Sequence, residues 1–378
     1  MAGAIFISTG EASGDLYGAL LARALFRRGS RIRVAGFGGI GMTAAGARVD
    51  PGLGQAGVMG LTGALRQASR MFRLLRQLKA EWRRLPPRAL VLIDYPGFNL
   101  NLGTMASALG IPVYYFVCPQ VWAWGSGRLL TMRRILRRAF PVLPFEEPLH
   151  QAFGIPSVFL GHPILDVIPR RFPPRREVMR RAGLDPARPL AILLPGSRNM
   201  ELERLLPPML AAARAIARRR PDMQWAAIPA PGREDWLGAR LAAAAPPVKV
   251  VPDPGYGLRS AANMAWTASG TSTLELGLLG VPQVAVYRWN RLNWEIAKRV
   301  VRIPSVVLVN LILGRRAVGE LLQGDATAGN LAREARRLLR PSAAARCRAC
   351  AVELRERLGA PGAADRVARE LLRDLSRT

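Results

Sequence analysis

Lysine is nearly absent from this 378-residue chain: Lys79, Lys249 and Lys298 are the only lysines among 55 Lys+Arg, against 26 Asp+Glu. The resulting net charge of +29 is carried by arginine. The arginines are spread along most helical stretches and not held in a tail, which leaves two readings, compositional drift of a GC-rich genome or an anionic partner for at least one face. Cysteine is scarce as well. Cys118, Cys347 and Cys350 are too few for a disulfide framework. The lone C-x-x-C of "RCRAC" has no second pair and no nearby histidine, so zinc is excluded. Only His150 and His162 are histidines. With no H-E-x-x-H, G-x-S-x-G or G-x-x-x-x-G-K-[ST], metalloprotease, serine-hydrolase and P-loop readings fail. No D-x-D occurs, which argues against a carboxylate-held divalent metal. No 18 apolar residues run uninterrupted and no charged region precedes an apolar leader, so the expectation is a cytoplasmic protein without a spanning helix.

What is present is an alternation. Short aliphatic runs near 3–8, 31–36, 89–93, 111–117, 139–143 and 157–160 predict strands. After the Pro/Arg-rich "IPRRFPPRREVMRR" the pattern restarts near 189–194, 223–229, 248–251, 263–267 and 282–286. Helical patterns such as 199–219 and 271–279 fill the gaps, and from about 326 the chain reads as helix only. This predicts an α/β protein with two parallel-sheet domains, 1–165 and 166–340, and helices from 341 to 378 packing across both. In such sheets ligands bind beyond the carboxyl ends of the strands, so residues just after strands carry most weight.

"GFGGIG" (Gly36 to Gly41) matches a dinucleotide fingerprint in form, but no acid lies between Asp50 and Glu81 to hold a ribose, which excludes NAD. In "STGEASGD", Ser13 and Asp15 suit a helix N-terminus. Capping leaves Glu11 unexplained. "LPGSR" sets Gly196, Ser197 and Arg198 between a strand and a helix, where small residues admit a phosphate and Arg198 offers a bidentate donor. "SGTSTLE" repeats this more strongly, with Ser269, Gly270, Thr271 and Ser272 at a helix start and Glu275 one turn in, placed to accept from a ribose. In "IDYPGFN", Asp94 ends a strand and suits either a turn or a base. "PQVWAW" carries Trp122 and Trp124, fit for a stacking wall or a core plug. Residues 61–84 read as a basic amphipathic helix, with Leu61, Leu65, Ala68, Phe72, Leu75 and Trp82 on one stripe. Seven basic residues there oppose the single acid Glu81, which suits either an anionic membrane surface or a sheet-covering helix.

Taken in order, "GEASGD", "VMG", "IDYPGFN", "PQVWAW", "LPFE", "GHP", "LPGSR", "SGTSTLE" and "NLILGRR" resemble the motifs of lipid A disaccharide synthases, from about residue 3 to at least 340. The resemblance implies a glycosyltransferase-B fold, two Rossmann-like domains facing a cleft. It also implies inverting transfer of 2,3-diacylglucosamine from its UDP donor to 2,3-diacylglucosamine 1-phosphate (lipid X). No cofactor and no metal are implied. UDP would be met by Gly196, Ser197, Arg198 and Ser269 to Ser272, with Glu275 on the ribose and Asn310 near the donor pocket. The base would be Asp94, with Glu11 second, and Ser13, Asn99, Gln120, Trp122 and His162 would line the acceptor side. Implied partners are the two acylated sugars and an anionic membrane surface met by helix 61–84; nucleic acid is not among them, and a homodimer is compatible. The chain departs from the family at Val309 and Gly319, where proline is usual, and at Cys118, where serine is common. Rival readings are another UDP-sugar enzyme on the same fold, such as a peptidoglycan glucosaminyltransferase or an epimerase, and a non-catalytic basic lipid- or nucleic-acid-binding protein.

Overall fold

The computed structural model describes residues 3–10, 12–50, 61–122, 127–289 and 304–377, with the backbone alone for 12 and 61–69. It divides into two units, residues 1–166 with 358–378, and residues 167–357.

In the first unit, β1 (Ile5–Ser8), β2 (Val34–Phe37), β3 (Arg48–Asp50), β4 (Ala89–Ile93), β5 (Val113–Phe116) and β6 (Arg138–Phe140) form one sheet. Its order is β3-β2-β1-β4-β5-β6, parallel throughout, with Ile5 opposite both Val34 and Ala89. Sequences such as "ALVLI" and "VYYF" are buried along their whole length, because helices cover both faces of a parallel sheet and no side is left for water. The helices are α1 (Ala12–Phe26), α2 (Ile40–Ala44), α3 (Leu61–Arg84), α4 (Pro96–Ser107), α5 (Gly127–Ile135), α6 (Glu146–Ala152) and α7 (Ile164–Val167).

The second unit repeats the plan after α8 (Arg175–Arg181). Its strands are β7 (Leu190–Leu194), β8 (Gln224–Ala227), β9 (Val248–Val250), β10 (Met264–Ala268), β11 (Gln283–Tyr287) and β12 (Gly319–Leu322), in the order β12-β11-β10-β7-β8-β9. Its helices are α9 (Asn199–Ala217), α10 (Glu234–Leu241), α11 (Gly257–Ala261), α12 (Thr271–Leu278), α13 (Leu308–Leu313) and α14 (Ala328–Leu338). Trp225 and Trp266, 5.3 Å apart between ring centres, fill the core beneath α9 and α14.

The two last helices, α15 (Pro341–Leu358) and α16 (Ala363–Leu375), part company. All but the end of α15 belongs to the second unit, while α16 returns to the first. There α16 buries Val367, Leu371 and Leu375 and is clasped by Arg137 Nε to Asp374 at 2.6 Å and Tyr114 OH to Asp374 at 2.6 Å.

Two strands escape a reading by hydrophobic runs. Both β3 and β12 are edge strands, carrying "RVD" and "GELL", whose outer sides need no apolar residue. The strand expected at 157–160 reduces to one bridge, Ser157 to Ala139, before Gly161 turns the chain at φ 93°.

Candidate active site

Three of the glycine-bearing turns that follow strands, after β2, β7 and β10, could each offer backbone N–H groups to an anion. Two are already filled by the protein's own carboxylates. After β2, Asp15 accepts from the N–H groups of Gly39 (2.7 Å), Gly41 (2.8 Å) and Met42 (3.0 Å). Asp15 therefore caps α2, and the loop that mimics a dinucleotide fingerprint is occupied from inside. After β7, Gly196 stands at φ 111°, which only glycine adopts freely. Glu201 Oε2 there accepts from Ser197 N–H (3.1 Å) and Arg198 N–H (3.3 Å). The backbone cradle expected at Gly196 and Ser197 is thus taken by Glu201. What this turn still presents is the Arg198 side chain, 53% exposed, with Nη1 3.6 Å from Glu201 Oε1.

The third turn differs. Gly270 opens α12 with no side-chain cap, and a Cβ at Gly270 would meet nothing within 4 Å. Neighbouring hydroxyls face backwards. Ser269 Oγ donates to Val306 O (2.7 Å), Thr273 Oγ1 to Gly270 O (2.8 Å), and Ser272 Oγ lies 2.7 Å from Thr267 Oγ1. Among the described residues nothing caps the N–H groups of Gly270, Thr271 and Ser272. This is the helix N-terminus left open to an anion.

One turn along α12, Glu275 is held on both oxygens. Tyr256 OH donates to Oε1 at 3.2 Å, and Arg259 Nε lies 3.6 Å from Oε2. Burial raises the pKa of Glu275, and the Arg259 charge opposes the rise. Asn310 is placed otherwise than expected. Its Nδ2 donates to Val318 O (2.9 Å) and Glu320 Oε1 (2.7 Å), and its Oδ1 accepts from Ala317 and Val318 N–H (2.8 Å each). With every amide position used, Asn310 staples the turn after α13 and has nothing left for a ligand. Its influence runs through Glu320, which accepts from Val306 N–H (3.1 Å), the residue whose carbonyl holds Ser269. Of the two departures, Val309 is buried beside Gly277, and Gly319 opens β12 opposite Val284.

In the first unit, Asp94 leaves β4 at φ 48°, followed by Tyr95 also at φ 48°, and Val117 leaves β5 at φ 59°. Side-chain-bearing residues in this region cost of order 1–3 kcal/mol each and persist where the surroundings over-determine them. The surroundings are visible. Asp94 N–H donates to Val117 O (3.1 Å), and Asp94 O accepts from Asn99 Nδ2 (2.7 Å) and Tyr115 OH (2.8 Å). Asn99, fully buried, also accepts from Ser8 Oγ at 2.6 Å. Asn99 is thus a strut behind Asp94 and not a surface contact. A Cβ on Gly10 would lie 2.2 Å from Tyr95 Cγ, so the "GEASGD" and "IDYPGFN" loops pack together. Glu11 itself lies outside the described residues, as do Trp124 and Val58. Ser13 is half-buried near the start of α1, and Gln120 is exposed.

Trp122 donates its Nε1–H to Glu146 Oε1 (2.9 Å), while Glu146 Oε2 accepts from Leu143 N–H (3.1 Å). Glu146 is 1% exposed, and burial lifts its pKa to about 7 against these donors. His162 is buried, with Nδ1 accepting from Ile164 N–H at 3.0 Å. Burial lowers its pKa to about 3, which favours the neutral ring. The sequence reading quoted "LPFE" but assigned Glu146 nothing, and it missed Tyr115, Tyr256, Arg259 and Glu320. The available signal was an acid standing among apolar residues, as Glu146 does.

The description "Lipid-A-disaccharide synthetase" matches residues 5–364 as a family pattern. The chain belongs to the lipid-A-disaccharide synthase family. It is 38% identical over 368 residues to the lipid-A-disaccharide synthase of Syntrophus aciditrophicus, covering 96% of each chain. It is 39% identical over 375 residues to that of Anaeromyxobacter dehalogenans strain 2CP-1, covering 97% of this chain and 96% of the relative. Among solved structures it resembles a UDP-GlcNAc 2-epimerase from Neisseria meningitidis bound to UDP-GlcNAc. There the TM-score is 0.65 at 11% identity, over 99% of this chain and 100% of that one. It also resembles the calicheamicin glycosyltransferase CalG4, with TM-score 0.60 at 15% identity over all of both chains. At those identities the likeness shows the glycosyltransferase-B type of fold alone. As a family member, the chain is a glycosyltransferase of lipid A biosynthesis, and the epimerase and non-catalytic readings are set aside.

Proposed function

We propose that the enzyme transfers 2,3-diacylglucosamine from UDP to the 6-hydroxyl of 2,3-diacylglucosamine 1-phosphate, with inversion, using its own side chains to meet the leaving diphosphate. The observation that carries this is the uncapped N-terminus of α12, the one open cradle of the three glycine turns, with Glu275 one turn beyond it. Partial positive charge at that end and the Arg198 guanidinium stabilise the diphosphate as it departs. In the first unit, Asp94 is the base that takes the proton of the acceptor hydroxyl. Its backbone is held in a left-handed conformation at the end of β4 by Asn99, Tyr115 and Val117. Glu11, which follows Gly10 in the sequence, is the second candidate for that base.

Membrane access comes through α3. Leu78 and Trp82 are buried, Trp82 against Phe6 at 5.1 Å, so the C-terminal half of α3 covers the sheet. Phe72, on the apolar stripe, is 67% exposed, with Arg70, Arg73 and Arg76 exposed around it. An exposed aromatic inside a basic face is the combination that binds an anionic bilayer. Among the described residues no helix is long and apolar enough to cross a membrane.

The test is UDP release and disaccharide formation from the two diacylglucosamine substrates in detergent, for the natural chain and Asp94→Asn, with and without chelator. Expected is chelator-resistant activity that falls by about 10²–10⁴-fold in Asp94→Asn at unchanged thermal midpoint. Retained activity in the variant moves the base elsewhere. No turnover by the natural chain despite UDP binding removes the named substrates.

A further inference from the structure

Glu275 sits in a buried charge network that neither the motifs nor the family match assigns. Asp253, after β9, accepts from Leu258 and Arg259 N–H at 2.9 Å each and so caps α11. The same carboxylate meets Arg259 Nη1 at 3.1 Å, and the Asp253 and Arg259 side chains are 7% and 14% exposed. The Arg259 guanidinium lies over the Tyr256 ring at 4.9 Å and turns its Nε toward Glu275 Oε2 at 3.6 Å, where that N–H makes no hydrogen bond. Tyr256, at φ 61°, donates its hydroxyl to Glu275 Oε1 at 3.2 Å. The strained backbone of Tyr256 and the doubly anchored Arg259 thus approach one carboxylate from two sides.

A carboxylate has two acceptor positions on each oxygen. Here Tyr256 takes one position on Oε1 and Arg259 Nε approaches Oε2, which leaves at least one position on each oxygen, enough for two adjacent hydroxyls. The distance along the chain agrees. Glu275 lies four residues past Thr271, about 6 Å of helix rise from the open N–H groups, which is the offset between the diphosphate and the ribose of one nucleotide.

We propose that Tyr256 and Arg259 are positioning residues that fix the rotamer and charge of Glu275, and that this pair sets selectivity for a vicinal ribose diol over a deoxyribose. The proposal rests on the reading that UDP lies on α12. A free Glu275 would re-aim itself at whichever hydroxyl a deoxy analogue keeps. A clamped one leaves a buried charged acceptor without its partner, and sites of that kind discriminate strongly.

The experiment is calorimetric titration of the full chain with UDP, 2′-deoxy-UDP and 3′-deoxy-UDP, for the natural protein, Tyr256→Phe, Arg259→Lys and Glu275→Gln. The expected result is a preference of about tenfold or more for UDP in the natural protein. That ratio should shrink at least threefold in Tyr256→Phe, whose ring keeps its packing, and in Arg259→Lys, at thermal midpoints close to the natural one. A merely structural role would weaken all three ligands alike and leave the ratio unchanged; that outcome overturns the proposal. Equal binding of UDP and both deoxy analogues by the natural protein, unaltered in Glu275→Gln, overturns it together with the ribose role of Glu275. Absence of UDP binding overturns the donor site itself.

Discussion

Burial sets the acid–base behaviour of single residues here more than charge pairing does. Glu146 titrates from an ordinary 4.5 when unfolded to about 7 when folded. Between those values the folded state binds the extra proton, so its contribution to stability is full below pH 4.5 and is lost as pH rises through 7. Glu146→Gln keeps an oxygen for Trp122 and removes the titration. Thermal midpoints of the variant relative to the natural chain are expected to improve between pH 4.5 and 7; a flat difference contradicts the assignment. His150 runs the opposite way. It is fully buried, neither ring nitrogen finds a partner among the described residues, and burial lowers its pKa to about 4. Its stabilising contribution is therefore present above pH 6.5 and lost as pH falls towards 4. At Asn310, four hydrogen bonds converge on one buried amide. Asn310→Ala is expected to cost roughly 2–4 kcal/mol in denaturant unfolding, through unpaired buried groups. UDP affinity should fall with it, since Ser269 loses its brace.

At the scale of elements, the sequence located the sheets and most of their strands because buried parallel strands read as unbroken apolar runs. It missed β3 and β12, whose edge positions free them from that pattern. Turn chemistry was legible only in part. "GFGGIG", "LPGSR" and "SGTSTLE" look alike as strings of small residues that follow a strand. What separates them is whether a carboxylate folds back onto the turn, and Asp15 does so across 24 residues to Gly39. Spacing cannot reveal such a contact, whereas Glu201 accepts from the N–H of Arg198 only three residues before it, a local contact that spacing can reveal. Asp15→Ala strips the acceptor from three backbone donors and is expected to cost about 2 kcal/mol, read from the denaturant midpoint. Gly270→Ala, with open space for its methyl, should change stability by less than about 0.5 kcal/mol. It should still weaken UDP binding, because the methyl stands beside the open N–H groups. Equal UDP affinity would place the diphosphate elsewhere.

For the whole molecule, the net charge of +29 becomes specific only through its distribution. Arginines that look interchangeable in sequence divide in the structure. Some are used internally, such as Arg175 on the carbonyls of Ala261 and Arg188, and others stand exposed on α3. Reversing Arg70, Arg73 and Arg76 to Glu is expected to abolish sedimentation with vesicles containing anionic lipid. Each basic residue near such a surface contributes about 1 kcal/mol. Turnover in detergent should stay within about twofold. A variant that still binds such vesicles would shift the membrane contact to another face.

The division of the chain also orders events during synthesis. Residues 167–357 form a continuous unit, so the second sheet can close while the ribosome is still working. The first cannot. Its final helix, α16, is encoded after the whole second unit, and until Val367, Leu371 and Leu375 arrive, α1 and the arginines beginning β6 have no cover. The cover of the first sheet is therefore completed only after the second unit has been made.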